Sequence, residues 1–223
     1  AIEVTSYAVM SNHLHVVLHL NPDRASQWTD KEVVQRWHAL FSGKPISRLF
    51  ASGISLSAAQ QAILKELVDC WRERLCNLSW FMRCLNEPIA RKANIEDGCT
   101  GHFWESRFKS QALVDEQALL SAMAYVDLNP VRAGIAETPE TSEHTSIKSR
   151  IAAIESRSAD HHSSPLFPFV GDPRTDMPEG IPFYLKDYLS LLDWTGRSIH
   201  PTKKGAISID RPPILTRLAI RSK

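Results

Sequence analysis

The stretch from Glu3 to Leu20, EVTSYAVMSNHLHVVLHL, decides how the rest of the chain is read. It is dense in β-branched and aromatic residues and is interrupted once, at Ser11 and Asn12, so it predicts a strand, a tight turn and a second strand. Side chains alternate along a strand, which puts His13, His15, Val17 and His19 on one face of the second strand and Leu14, Val16, Leu18 and Leu20 on the other. One face is apolar and the other carries three imidazoles. Histidines at i and i+2 of a strand point the same way with Cα atoms about 6.6 Å apart, so His13 and His15 can converge on one metal ion. A pair of surface histidines gives the same pattern, and a third ligand is needed to separate the two. His19 lies too far along the strand and reads as a flanking residue.

Moving outward, apolar residues recur at three and four from Thr29 to about Phe41 and from Ser57 to about Asn86, which predicts two helices capped by Thr29 and Ser57. Pro88 is expected to kink or end the second. The segment Gly101 to Ala112, GHFWESRFKSQA, alternates again and predicts another strand, with Phe103, Glu105, Arg107 and Lys109 on one face and Trp104, Ser106 and Phe108 on the other. Arg107 and Lys109 are candidates to hold phosphates, and an exposed aromatic could stack a base. Trp104 and Phe108 read as core residues. Arg83 and Arg132 are further phosphate candidates, with Arg91 and Lys92 weaker ones.

Asp115 caps a helix with Glu116 in its first turn, and Pro130 with Gly134 closes it. At about 100° per residue, Val126, Leu119, Met123 and Leu120 form an apolar stripe on this helix. Tyr125 sits on the opposite side among Ala118, Ser121, Ala122 and Asn129. Asn129 lies one turn beyond it with Pro130 behind, so its amide can be aimed where the tyrosine hydroxyl points. The plain alternative is a tyrosine packed at a helix end and an asparagine acting as a stop signal. Asp127 falls inside the stripe and does not fit, unless the last turn emerges into solvent.

Beyond Thr138 the composition changes. TSEHTSIKSRIAAIESR predicts a short polar helix with Ser142 as cap and Glu143 in its first turn. A stretch containing Pro165, Pro168, Pro173, Pro178 and Pro182 reads as a loop or linker, Pro182 to Trp194 as one more helix, and the end is basic. Residues 1–137 are therefore expected to form one domain and 138–223 a C-terminal extension.

The 223 residues are 43% hydrophobic and 23% charged, the composition of a globular chain with room for one sizeable core and a small second unit. No apolar run approaches the roughly 18 residues of a membrane span, and Ala1 to Met10 lacks the regions of a secretory signal, so a cytoplasmic location is expected. A net charge of +1 argues by itself against a nucleic-acid binder. The average hides a dipole: residues 137 to 193 hold ten acidic and five basic residues, whereas 197 to 223 hold seven basic residues against Asp210 alone. Such a tail favours a polyanionic partner, or is a solvated terminus. Cys70, Cys76, Cys84 and Cys99 form no C-x2-C pair and read as reduced structural thiols.

Three motifs, Tyr7 to His15 (YAVMSNHLH), Gly101 to Phe108 (GHFWESRF) and Tyr125 to Gly134 (YVDLNPVRAG), resemble in order and spacing the IS200-like single-tyrosine transposases, above all the group associated with repetitive extragenic palindromes. The resemblance covers about residues 4 to 135. It implies an α+β fold with a ferredoxin-like or RRM-like antiparallel sheet and packed helices. It also implies that His13 and His15 bind a divalent metal, Mg²⁺ or Mn²⁺, with a third polar side chain, by position Asn129. The metal would polarise a phosphodiester of single-stranded DNA while Tyr125 attacks the phosphorus, giving a 5′-phosphotyrosine and a free 3′-hydroxyl. A phenol with a pKa near roughly 10 is a poor nucleophile at neutral pH, and a metal that withdraws charge from the phosphate lowers that barrier. The expected partners are single-stranded or hairpin DNA and, in a homodimer, a second copy of the chain, with no membrane.

In that family a strand and a helix precede the hairpin, whereas here twelve residues precede His13. Either the chain is part of a longer product or the sheet lacks its first strand, with an unpaired edge beside the metal site. Two other classes compete with a transposase. One is a non-catalytic nucleic-acid binder on the same scaffold. The other is an unrelated metal-dependent hydrolase, disfavoured because no carboxylate sits at i+3 or i+4 from the paired histidines.

Overall fold

A computed structural model of the chain describes residues 1–155, 165–171, 178–199 and 201–220. It is of mixed α+β class and divides into two compact units: Ala1–Ile2 with Leu20–Ser110, and Glu3–His19 with Gln111–Lys223. The boundary expected between 137 and 138 falls inside the second unit.

The first unit is helical. Helices α1 (Pro22–Ser26), α2 (Asp30–Leu40), α3 (Pro45–Ala51), α4 (Ala58–Arg74) and α5 (Leu78–Glu96) follow one another. Thr29 caps α2 in a capping box with Glu32, and Ser57 caps α4 with Gln60, because a side-chain oxygen there meets an amide that the first turn leaves unpaired. The core is Val33, Val34 and Trp37 of α2 against Leu64, Val68 and Trp71 of α4.

Two sequence expectations fail in this unit, and the alternatives at Pro88 are narrowed. The helix predicted from Ser57 to Asn86 is two helices, because Asn77 caps a new start with its side chain accepting from Trp80 N at 3.1 Å. Pro88 does not end α5, which runs through it to Glu96. Residues 101–112 form no strand. Their polar groups turn to α5 instead: Trp104 Nε1 donates to Asn86 O at 3.0 Å, and Asn94 Nδ2 donates to Gly101 O at 3.0 Å. A strand needs a backbone partner, and alternation alone does not supply one.

The second unit contains the hairpin, β1 (Ile2–Val9) antiparallel to β2 (Leu14–Leu20), with Met10 N donating to His13 O at 2.9 Å across the Ser11–Asn12 turn. The alternation holds, but the face sunk in the core is the histidine face: Val17 is 6% exposed and packs with Ala8 and with Met123, Ala124 and Val126 of α6 (Glu116–Asp127). Leu14, Val16 and Leu18 remain half-buried, because α6 packs on the other side.

Later segments line the far edge of β1. Val9 N donates to His144 O at 3.0 Å and Phe167 N to Val4 O at 2.8 Å, and single bridges join Ala8 to Thr145 and Val4 to Leu166. Among the described residues β2 pairs with β1 alone and is an edge strand. The described part of the Pro-rich stretch is therefore no free linker: Leu166, Phe167 and Ile181 are buried and Phe169 bridges to Ile181, whereas Pro173 lies outside the described residues.

After α6 come α7 (Asn129–Arg132), a single 3₁₀ turn (Pro139–Thr141), α8 (Ser146–Glu155), α9 (Leu185–Arg197) and α10 (Ile214–Arg217). Helix α8 starts later than Ser142 predicts. Lys148 N donates to Thr145 Oγ1, while Ser142 Oγ turns back to Thr138 O. It is not a polar surface helix either, since Ile147, Arg150 and Ile151 are buried. No helix among the described residues is long and apolar enough to cross a membrane.

Candidate active site at the hairpin and helix α6

Asp127 fixes the end of the tyrosine helix. It is fully buried rather than emerging into solvent. Ser146 Oγ and Ile147 N donate to its Oδ1 at 2.5 and 3.0 Å, and Tyr188 Oη donates to its Oδ2 at 2.6 Å. An aspartate inside an apolar stripe is thus an anchor that ties α6 to α8 and α9. Burial pushes its carboxyl above the ordinary value, opposed by the Ser146 and Tyr188 bonds and the Arg150 charge. Burial likewise raises the Tyr188 hydroxyl, reinforced by Asp127.

With α6 held in this way, Tyr125 faces out of the core, 53% exposed, as its position opposite the stripe predicts. The His15 ring lies 5.5 Å from the Tyr125 ring, nearly perpendicular to it, and the His13 ring lies 4.9 Å from His15. A strand near one end of the chain and a helix more than a hundred residues on therefore bring two imidazoles and a phenol together. His13 Nδ1 is 2.7 Å from Asn12 Oδ1. A carbonyl oxygen only accepts, so with the amide oriented this way Nδ1 carries the proton and Nε2 keeps a lone pair in the neutral ring. Burial, then the neighbouring His13 and Lys203, lower the His15 pKa and favour its neutral form. Neutral imidazoles are the form that a metal binds.

Asn129 opens α7, half-buried, and its amide makes no hydrogen bond among the described residues. Among those residues no three His, Cys, Asp or Glu side chains gather so as to hold a metal ion. Asn129 stands on the turn that directly follows the tyrosine helix. No protein-family model, no curated protein and no solved structure matches this chain.

The phosphate candidates are divided between the units. Arg83 and Arg107 line a groove of about 750 Å³ between α5 and residues 102–108 of the helical unit, together with Phe103, Trp104, Glu87 and Glu105. Arg83 pairs with Glu87 at 3.3 Å, while Arg107 and Lys109 are exposed. Arg132, beside the site in sequence, is engaged: its guanidinium donates to the carbonyls of Ser198 and of Thr195, the latter at 2.6 Å.

Among the described residues three cations of the basic tail are paired within the fold. Arg197 pairs with Asp193, Arg211 with Glu137, and Arg217 with both Glu140 and Asp193. Arg221 and Lys223 lie outside the described residues. One cation of the tail, which no local sequence pattern distinguishes from its neighbours, reaches the site: Lys203 Nζ is 5.7 Å from the centre of the Tyr125 ring. The four cysteines are free thiols, and burial raises the pKa of Cys76 and Cys84.

Proposed function

We propose that the protein is a metal-dependent nuclease and strand transferase acting on single-stranded or hairpin DNA, on a ferredoxin-like scaffold of the IS200-like single-tyrosine type. The observation that carries this reading is the contiguity of the His13, His15 and Tyr125 rings, at 4.9 and 5.5 Å. A phenol aimed outward beside two imidazoles, of which burial favours the neutral form of His15, suits attack on a phosphorus.

Tyr125 Oη forms the new P–O bond as the bond to the 3′ oxygen breaks. The phenol proton leaves to solvent, the released 3′ oxygen takes up a proton, and the strand stays linked to the protein through a 5′-phosphotyrosine. Reversal with another 3′-hydroxyl rejoins DNA. His13 and His15, with Asn129 as third donor, would hold a divalent ion, Mg²⁺ or Mn²⁺, whose chemistry is to withdraw charge from the phosphate.

The test is incubation with end-labelled single-stranded hairpin DNA and Mn²⁺, followed by denaturing electrophoresis. Wild type should give a protein-linked band, whereas Tyr125→Phe and the His13→Ala, His15→Ala double variant should give none. A band that persists in Tyr125→Phe sinks the covalent mechanism. Salt-sensitive binding without any adduct in wild type is the signature of a non-catalytic binder.

A further inference from the structure

Lys203 is the described cation that the Tyr125 site holds without an acidic partner. Arg197, Arg211 and Arg217 each meet a carboxylate, and Arg132 meets backbone carbonyls. Lys203 meets none among the described residues; its ammonium stands 5.7 Å from the Tyr125 ring centre.

Its placement is built into the fold. Lys204 N and Gly205 N both donate to Arg132 O, at 3.1 and 3.3 Å. The Arg132 side chain in turn grips the carbonyls of Thr195 and Ser198 at the end of α9. Gly205 lies so close to this turn that a Cβ there would fall 2.1 Å from Val131 O, so only glycine lets the two backbones meet. The chain that carries Lys203 is thus clamped to α7, the turn that follows the tyrosine helix, from both sides of the lysine. An exposed ammonium with three donors, held beside a phenol, is suited to take an anionic oxygen.

We propose that Lys203 is a phosphate-binding residue of the Tyr125 site, contributed by the C-terminal segment: its ammonium holds a backbone phosphate of the single strand where Tyr125 would attack. This rests on the strand-transferase reading for the identity of the ligand. The experiment is nevertheless arranged so that the two fail separately.

The full chain is titrated with a fluorescent DNA hairpin carrying single-stranded flanks, by anisotropy over a range of salt, and the same proteins are assayed for adduct with Mn²⁺. Each phosphate contact to a single strand contributes about 0.7 to the slope of log affinity against log salt. Lys203→Met should lower that slope by about 0.7 and slow adduct formation by about 100-fold, whereas Lys203→Arg should keep the slope. A slope unchanged in Lys203→Met, or lowered equally in Lys203→Arg, overturns the proposal, because a cation packed on a ring for structural reasons does not count phosphates. If the slope changes as expected but wild type forms no adduct, the strand-transferase reading falls and Lys203 remains a phosphate ligand. No salt-dependent binding by wild type overturns both. Lys203 is exposed, so circular dichroism should be the same for all three proteins.

Discussion

The two units are built on opposite plans. In the helical unit, elements close in sequence pack on one another: α2 lies against α3 and α4, Trp37 stacks on Trp71 at 4.8 Å, and α2 and α4 each open on a capping box. In the other unit the hairpin is completed from the far end of the chain. Tyr7 N donates to Ser146 Oγ across 139 positions, and Arg150 Nη2 reaches Thr5 O across 145. Ordering contacts of the second kind requires closing long loops before any bond forms. The candidate site sits in this second unit, so its geometry depends on remote anchors far more than on local propensity.

Removing such an anchor should have the largest effect. Asp127→Ala leaves three buried donors without their acceptor and should cost about 3 to 5 kcal/mol, seen as faster amide exchange in α6, α8 and α9. Tryptophan fluorescence, dominated by Trp28, Trp37, Trp71, Trp80 and Trp104 of the helical unit, gives the comparison. An equal shift in both signals would mean that the units unfold as one and that the contrast between them has no energetic meaning.

A smaller effect should appear with pH. The Asp127 carboxyl is held above the ordinary value of 3.8, so from 3.8 up to its raised value the folded protein keeps a proton that the unfolded chain releases. Stability should therefore fall as pH rises through that window, by at most about 1.4 kcal/mol per pH unit. Asp127→Asn keeps an acceptor for Ser146 and Ile147 and should flatten the slope. Denaturant midpoints across pH check this, and a slope that survives in the variant assigns it to another group.

The smallest effect belongs to the local plan. Thr29→Ala removes one helix cap and should cost about 1 kcal/mol, with exchange accelerated mainly in the first turn of α2. Exchange that accelerates as strongly in α6 would contradict the idea that the helical unit is ordered locally.

Legibility follows the same division. Thr29, Ser57 and Asp115 were readable as caps because a cap is made by residues three apart. The hairpin was readable because its turn joins adjacent strands, and the outward aim of Tyr125 because helical angle fixes which residues share a face. The strand expected at 101–112 was misread because alternation there has no backbone partner. At Pro88 a missing amide by itself does not decide whether a helix ends, and α5 continues. Asp127 looked out of place because its three donors come from Ser146, Ile147 and Tyr188, none of which a local pattern can point to.

Periodicity and capping were enough to establish an α+β chain with a histidine-bearing hairpin and a tyrosine turned out of its helix's apolar stripe. That His15 meets Tyr125, that Asp127 locks the helix end, and that Lys203 reaches the phenol ring were decided by tertiary structure alone. The physical reason is reach. Helical angle, strand alternation and caps act over a few residues, whereas the site is assembled by contacts across long loops, whose partners only the closed chain selects.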